Sequence, residues 1–375
     1  MARVKLGDVA REYKATIKDT ADLPIVGLEH LTPGEITLDR WDVGTENTFT
    51  KGFKKGHMLF GRRRAYLKKA ALAPFDGVCS GDITVIEAIP GKINPELLPF
   101  IIQNDLLFDY AVGNSAGSLS PRVKWESLKG YEFELPELAE QDGLVELLKA
   151  AHRTKKAYQK QITATDELVK SQFIEMFGAD EFPVCTLSEE CDLITKGTTP
   201  TTIGFNFTDD GVNFVKIENI DEHGNFNREG MMFISETCHE AMKRSQLKED
   251  DILFSIAGAI GRCAVVSSDI LPANINQALA IIRLKKGSVL DRKFVMAALK
   301  SDYVIDQYME LKRGVAQLNL SLKNIGDFRV PVPPIDAQRR YVAFVEQSDK
   351  SKFELQEAIV RIDNFIKSLI QQDDN

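Results

Sequence analysis

Between Lys51 and Lys69 the chain carries eight cations and no acidic residue: Lys51, Lys54, Lys55, Arg62, Arg63, Arg64, Lys68 and Lys69, with Tyr66 set among them. Ammonium and guanidinium groups at this density neutralise phosphates. A guanidinium can also donate two parallel hydrogen bonds to guanine O6 and N7. The same charges would suit a solvated edge strand kept from aggregating. A second stretch, Ser255-Ile-Ala-Gly-Ala-Ile-Gly-Arg262, has two glycines and one Arg. It reads either as a loop that brings Ser255, Gly258 and Arg262 close to a nucleic-acid backbone or as a plain tight turn. Two polar loops carry residue types able to read base edges: residues 113–122, with Ser118 and Arg122, and residues 313–319, with Arg313, Gln317 and Asn319. Lys124, Lys196, Thr198, Lys216 and Asn276 complete the candidate contacts.

Nothing in the chain reads as an active site. There is no G-x-x-x-x-G-K-S/T phosphate loop, hence no ATP motor. Val332-Pro-Pro-Ile335 has the prolines of the amino-methyltransferase tetrapeptide but no amide or carboxylate before them. His30, His57, His152, His223 and His239 are dispersed, which is poor metal-ligand spacing. Asp209-Asp210, Asp221-Glu222 and Glu249-Asp250-Asp251 read as solvated turns. The five cysteines, odd in number and without a C-x-x-C pair, suit free thiols in a reducing compartment. No apolar run approaches the roughly 18 residues of a membrane span, so the expected location is cytoplasmic.

These residues need elements to position them, and two stretches stand out. Residues 139–177 contain no Pro. Leu144, Ala151, Tyr158 and Thr165 recur every seven residues there, and Leu147/Leu148, Ile162, Leu168/Val169 and Met176 fill the second seam position. Residues 337–370 repeat the stripe with Tyr341, Ser348, Leu355, Ile362 and Leu369, flanked by Phe344/Val345, Lys352, Ile359 and Ile366. Each pattern predicts a long helix packed along one partner. Ser348 and Lys352 at seam positions predict a coil that is not closed throughout, or one covered there by another subunit.

The segments before the helices also match. Leu247–Phe254 answers Phe53–Phe60; the predicted strand 274–284 answers 78–88; the predicted helix 291–308 answers 94–110. Gly117 to Gln141 and Gly314 to Gln338 span the same distance, and a shift of 197 carries Leu144 onto Tyr341, with the heptads in phase. An internal duplication follows. The 375 residues suffice for two sizeable domains. The reading is an α/β (α+β) chain: globular domains at 1–138 and 181–336, separated by long antiparallel coiled-coil helices at 139–180 and 337–375, with internal pseudo-two-fold symmetry. Such an object suits a ligand with two sites at fixed spacing, of which duplex DNA is the commonest. A coiled-coil interaction scaffold without sequence-specific DNA contact is the competing reading. An enzyme with a disguised nuclease or methyltransferase site is a third.

Over essentially its whole length the chain resembles the DNA specificity (S) subunit of type I restriction-modification systems. Ile194-Thr-Lys-Gly-Thr-Thr-Pro200 with Val212–Ile220 is similar to that family's G-x-T-P opening. Asp251-Ile-Leu-Phe-Ser255 with Gly258-Ala-Ile-Gly-Arg262 resembles its D-I-L segment and the G-x-x-G after it. Gly314-Val-Ala-Gln317-Leu-Asn319, then Val332-Pro-Pro-Ile-Asp-Ala-Gln338, is similar to its closing G-x-x-Q-x-N and P-P-L-x-E-Q. The first domain departs from the pattern: Arg11–Asp22 stands in place of G-x-T-P, and Ser120-Pro121 where the second copy has Gln317-Leu318 nearby. The resemblance implies two target recognition domains, each reading one half of a split, asymmetric site in double-stranded DNA. It implies helices that space the halves and dock two modification (methyltransferase) subunits. Restriction (translocase/nuclease) subunits would add translocation and cleavage. The S chain itself would be non-catalytic, with S-adenosylmethionine, ATP and Mg on partner subunits. The net charge of −8 then fits, since acidic surface away from the DNA limits indiscriminate binding.

Overall fold

The computed structural model describes residues 2–20, 22–45, 47–178, 181–311 and 319–370. The chain divides into two compact units, Met1–Gln159 with Glu357–Asn375, and Lys160–Gln356. Each is described by itself.

The strands and α-helices of unit 1 are β1 (Ala2–Lys5), α1 (Leu6–Val9), β2 (Ala10–Glu12), β3 (Ile25–Val26), β4 (Lys51–Phe53), β5 (Met58–Gly61), β6 (Ala70–Leu72), β7 (Gly77–Cys79), β8 (Ile83–Ala88), α2 (Leu98–Ile102), α3 (Asp105–Gly113), α4 (Trp125–Leu128), β9 (Glu132–Leu135) and the first part of α5 (Leu138–Phe177). One sheet has the antiparallel order β2-β8-β5-β6; a second has β3-β7-β4, with β3 and β7 parallel; β1 pairs with β9. The central strand β5 is buried on both faces. Its alternation sends Met58 and Phe60 into one core cluster and Leu59 into another.

Unit 2 takes the rest of α5, then β10 (Val184–Thr186), α6 (Leu187–Glu190), β11 (Cys191–Lys196), β12 (Phe207–Thr208), β13 (Val212–Val215), β14 (Met232–Ile234), α7 (Glu236–Ala241), β15 (Ile252–Ser255), β16 (Cys263–Val265), β17 (Ala273–Ile275), β18 (Leu279–Leu284), α8 (Arg292–Lys300), α9 (Asp302–Glu310), α10 (Leu322–Gly326), β19 (Arg329–Pro331) and most of α11 (Ile335–Ile370). The order β11-β18-β15-β16 repeats that of β2-β8-β5-β6, β13 and β17 run parallel as β3 and β7 do, and β10 pairs with β19. Ile252 and Phe254 face one cluster and Leu253 the other, matching Met58, Phe60 and Leu59.

Several predicted elements split. The expected strand 78–88 is two strands joined by Ser80-Gly81-Asp82, where Ser80 Oγ accepts from Asp82 N at 3.2 Å. The expected strand 274–284 breaks at Asn276-Gln277-Ala278, where Asn276 Oδ1 accepts from Ala278 N at 3.1 Å. Short polar side chains that bond the backbone two residues on turn the chain out of the ladder. The helix expected over 94–110 is interrupted between α2 and α3, because Asn104 caps the second piece by accepting from Leu106 N at 2.9 Å. Its counterpart over 291–308 breaks at Ser301 between α8 and α9.

The long helices pair antiparallel within each unit. In unit 1, Val145 and Leu148 of α5 lie in the core on which Ile366, Leu369 and Ile370 of α11 pack, and Lys155 reaches Asp363 at 2.5 Å. In unit 2, the Tyr341 hydroxyl donates to the Val169 carbonyl at 3.0 Å, and Lys352 pairs with Asp166 at 2.6 Å and Asp349 at 2.8 Å. Lys352 is thus not an opening in the seam: its side chain is 9% exposed, and its own unit encloses it. Burial works against the ammonium, but hydrogen bonds from Lys352 to Asp166 and Asp349 raise its pKa above the ordinary lysine value.

One glutamine latches each long helix to its sheet. Gln141 accepts from Asn94 N at 2.7 Å and donates to the Pro136 carbonyl at 2.9 Å. Gln338 accepts from Asp291 N at 2.8 Å and donates to the Pro333 and Val289 carbonyls at 2.8 and 2.9 Å. Both side chains are buried. This is a structural use for the glutamine that closes each repeat.

Candidate nucleic-acid interface

In unit 1 three turns meet at one end of the β2-β8-β5-β6 sheet. Arg62 N donates to Asp82 O at 3.0 Å, tying the turn after β5 to the turn before β8. Val123 N donates to Arg62 O at 3.0 Å, and Arg64 N to Pro121 O at 2.8 Å, tying both to the 113–122 loop. Arg63 and Arg122 form an antiparallel bridge. The acidic centre of this corner is Asp82. It accepts from Arg122 Nε at 2.7 Å and Nη2 at 3.1 Å, and lies 3.6 Å from Arg63 Nη1. The Arg122 hydrogen bonds hold the Asp82 carboxyl below the usual carboxylate range. Arg63 also donates to Ser120 Oγ at 3.2 Å.

Arg64 is exposed and left-handed, with φ 52°. Tyr66 is exposed beside it, as are Ser118 and Lys124 around the loop. Arg62 Nε is buried without a hydrogen-bond partner, the one such side-chain atom among the described residues. A buried donor in that state fits a position that a ligand completes.

Of the rest of the basic run, Lys51, Lys68 and Lys69 lie at the corner's end of the sheet with their ammonium groups engaged, and Lys54 and Lys55 lie away from it. Lys51, at the start of β4, donates to the Ile83 carbonyl at 2.8 Å. Lys54 and Lys55 lie before β5, one strand length from the corner; Lys54 pairs with Asp76 at 2.8 Å, and Lys55 N donates to the same carboxylate at 2.8 Å. Lys68 bonds Asp105 at 2.6 Å, and Lys69 donates to the Leu28 carbonyl at 2.7 Å. For Lys54 and Lys55 contiguity in sequence is not contiguity in space: a hairpin sends alternate loops to opposite ends of its strands, and theirs is at the other end of β5. Sequence reasoning missed Asp82. A lone Asp after Ser-Gly gives no sign that two arginines from other turns converge on it.

Unit 2 builds the same corner. Ile256 N donates to Ala278 O at 2.9 Å, and Leu320 N to Ile256 O at 2.9 Å. These repeat the bonds around Arg62. Ser255 is fully buried; its hydroxyl donates to Ala259 O at 2.5 Å and accepts from Arg262 N at 2.8 Å. Gly258 and Gly261 sit at φ 70° and 93°, which shapes the turn. Arg262 Nη1 donates to the Ile220 carbonyl at 3.2 Å, and Lys216 pairs with Glu218 at 2.7 Å, so both charges are engaged inside the unit. Lys196 is exposed at the end of β11. At Gly197 a Cβ would stand 2.0 Å from Ile275 O, so glycine is required where β11 passes the Asn276 turn. Thr198 is half-buried there, Asn276 holds its own turn, and Asn319 is exposed beside Leu320. Arg313 and Gln317 lie outside the described residues.

Among the described residues no group of three His, Cys, Asp or Glu side chains could hold a metal ion, and no helix is long and apolar enough to cross a membrane. Burial pushes the Cys79, Cys191 and Cys263 thiols up to about 12, far from thiolate nucleophiles at neutral pH.

Comparison with known proteins bears on these corners. The family described as type I restriction modification DNA specificity domain matches residues 180–361. The type I restriction enzyme EcoBI specificity subunit of Escherichia coli is 29% identical over 166 residues, 43% of this chain; the chain spans 34% of that relative's length. A chain solved in work on complex assembly and conformational transition of the type I R-M system is similar over 98% of this chain and 96% of its own, with TM-score 0.61 and 21% identity. The type I restriction-modification S subunit from M. genitalium is similar over 99% of this chain and 96% of its own, with TM-score 0.55 and 15% identity. At these identities the solved structures establish the fold. Residues 180–361 thus match a type I restriction modification DNA specificity domain, and the fold of the whole chain is similar to that of solved type I restriction-modification proteins.

Proposed function

We propose that the chain is the DNA specificity subunit of a type I restriction-modification complex, each unit reading one half of a bipartite site. The carrying observation is the repeated corner. The same backbone bonds tie the turn after β5 or β15 to the turn before β8 or β18 and to Val123 or Leu320, the residue that follows the polar loop, in each unit. In unit 1 that corner is rich in arginine, the residue type that reads guanine and binds phosphate. The chain is non-catalytic in this reading. The paired helices dock two modification subunits, which carry the methyl donor; restriction subunits supply ATP- and Mg-dependent steps.

The helices also act as the spacer. Four residues inserted after Leu168 would add ~6 Å of helix, close to two base-pair steps of ~3.4 Å. Genome-wide methylation mapping, in cells carrying the chain and its modification subunit, should return a bipartite motif. The insertion should widen its unread gap and leave both halves unchanged. A protein that assembles and methylates with an unaltered gap would refute the spacer reading. Absence of any bipartite motif would refute the specificity reading itself.

A further inference from the structure

We propose that Arg122 reads a guanine in the half-site bound by unit 1, and that Asp82 is the positioning residue that aims it. The inference rests on the DNA reading above and goes further, to one residue, one base and one supporting carboxylate.

Arg122 is fixed at both ends. Its backbone exchanges hydrogen bonds with Ala116, Arg122 N to Ala116 O at 2.9 Å and Ala116 N to Arg122 O at 3.0 Å, which closes the loop beneath it. Its guanidinium spends the Nε–Nη2 edge on Asp82. The Nη1–Nη2 edge remains, on a side chain that is 43% exposed. Asp82 is itself held: it is 19% exposed, it lies in the Ser80–Asp82 turn, and its carbonyl takes the Arg62 N–H. A guanidinium clamped along one edge has lost most of its rotamer freedom, so little more is lost when the other edge meets a ligand. That edge offers two parallel N–H donors. In the major groove guanine offers two adjacent acceptors, N7 and O6; adenine pairs its N7 with an amino donor, cytosine offers an amino donor, and thymine one carbonyl beside a methyl group. Guanine is the base that matches.

The carboxylate has a second consequence. It neutralises Arg122 and stands near Arg63, so these two side chains present less bare charge to every phosphate they meet. Among the described residues unit 2 has no such clamp. Ala278 supplies the carbonyl that Asp82 supplies in unit 1, and Asn319 precedes Leu320 as Arg122 precedes Val123. The effect is therefore confined to one half-site, and the other serves as an internal control.

The test uses the full chain with its modification subunit, comparing methylation motifs of the wild type with those of Arg122→Ala, Arg122→Lys, Asp82→Asn and Asp82→Glu. The wild-type motif should contain a guanine in the unit 1 half. Arg122→Ala should make that one position degenerate, with discrimination down on the order of 10- to 100-fold, and leave the other half intact. Arg122→Lys keeps the charge without the fork and should relax the same position, which covers the case of an alanine variant that does not assemble. Asp82→Asn should relax that position less and tighten binding to unrelated duplex; Asp82→Glu should restore discrimination. A merely structural Asp82 would lower stability and leave the base preference of the folded fraction unchanged. A bipartite wild-type motif that Arg122→Lys leaves intact overturns this proposal alone. A wild type with no bipartite motif overturns the reading beneath it.

Discussion

In unit 1 the turn after β5 is Arg62-Arg63-Arg64 and closes on a carboxylate; in unit 2 the equivalent turn is Ile256-Ala257-Gly258 and closes on carbonyl oxygens. The two backbone bonds of Arg62 recur at Ile256. The scaffold repeats elsewhere too, in the order of the sheet built on β5 or β15, in the glutamine latches, and in Lys155–Asp363 against Lys352–Asp166, which the shift of 197 interchanges. Charge does not repeat. Lys149 pairs with Glu96 in unit 1, while Glu346 pairs with Lys293 in unit 2. His57 lies 3.5 Å from Glu87, and in the matching positions Asp251 bonds Arg283 at 2.6 Å. What is kept is geometry, and an ion pair can reverse its sense without disturbing it. What differs freely is the chemistry at the corner, as the proposed reading of two different half-sites requires.

The largest difference should come from the seam. In unit 2 the helices close around Phe173, which is fully buried and contacts the rings of Phe177, Phe294, Tyr303 and Tyr341. The shift of 197 puts Ile370, only partly buried, in that place in unit 1. Phe173→Ala should cost about 4 kcal/mol, against about 2 kcal/mol or less for Ile370→Ala. Chemical denaturation followed by hydrogen exchange in each unit would measure both, and equal costs would mean that the two ends of the helix pair are packed alike.

The buried pairs separate the units next. Asp251 is 1% exposed and bidentate to Arg283, so Arg283→Ala strands a buried charge and should cost about 3 kcal/mol. Glu87→Ala in unit 1 should cost about 1 kcal/mol, because His57 can stay neutral when its partner goes. Burial, opposed by Glu87, lowers the His57 pKa, and burial also lowers that of His152 in the same unit. A lowered folded value means that the unfolded chain binds the proton first. The stabilising contribution is therefore whole above the ordinary value of 6.5 and is lost as pH falls through the lower folded value. Acidification below about 6.5 should loosen unit 1 before unit 2. Exchange rates that rise together in both units would contradict this.

How much of this could be read beforehand follows from where the partners sit in sequence. The seam of Leu144 and Tyr341 was legible because helical neighbours recur at fixed spacing, and α5 begins at Leu138, within a residue of the predicted start. The strands merged across Ser80–Asp82 and Asn276–Ala278 because β-branched and apolar residues flank turns held by a single side-chain bond. The corner was half legible. Arg62, Arg63, Arg64 and Arg122 stood out by type, as did Lys54 and Lys68, but Asp76, Asp82 and Asp105, which pair with cations of this set, lie between 19 and 40 residues from their partners in sequence, and only the fold brings them in. Lys352 looked like a fault in the heptad for the same reason: Asp166 is 186 residues distant.

The smallest effect tests the claim that pair polarity is interchangeable. Glu96→Lys with Lys149→Glu gives unit 1 the polarity of Lys293 and Glu346. Each single reversal sets like charges side by side and should lower the thermal midpoint slightly. The double reversal should recover most of that loss. Recovery should stop short because Glu146, 3.5 Å from Lys149, would then face a second carboxylate, whereas the matching residue in unit 2 is Ala343. Adding Glu146→Ala should complete it. All of these differences should vanish in about 1 M salt, where the screening length falls to ~3 Å. A double reversal no better than its singles would mean that each unit fixes the sense of the pair through longer-range charges, and the interchange of polarity between the units would then need a cause beyond the pair itself.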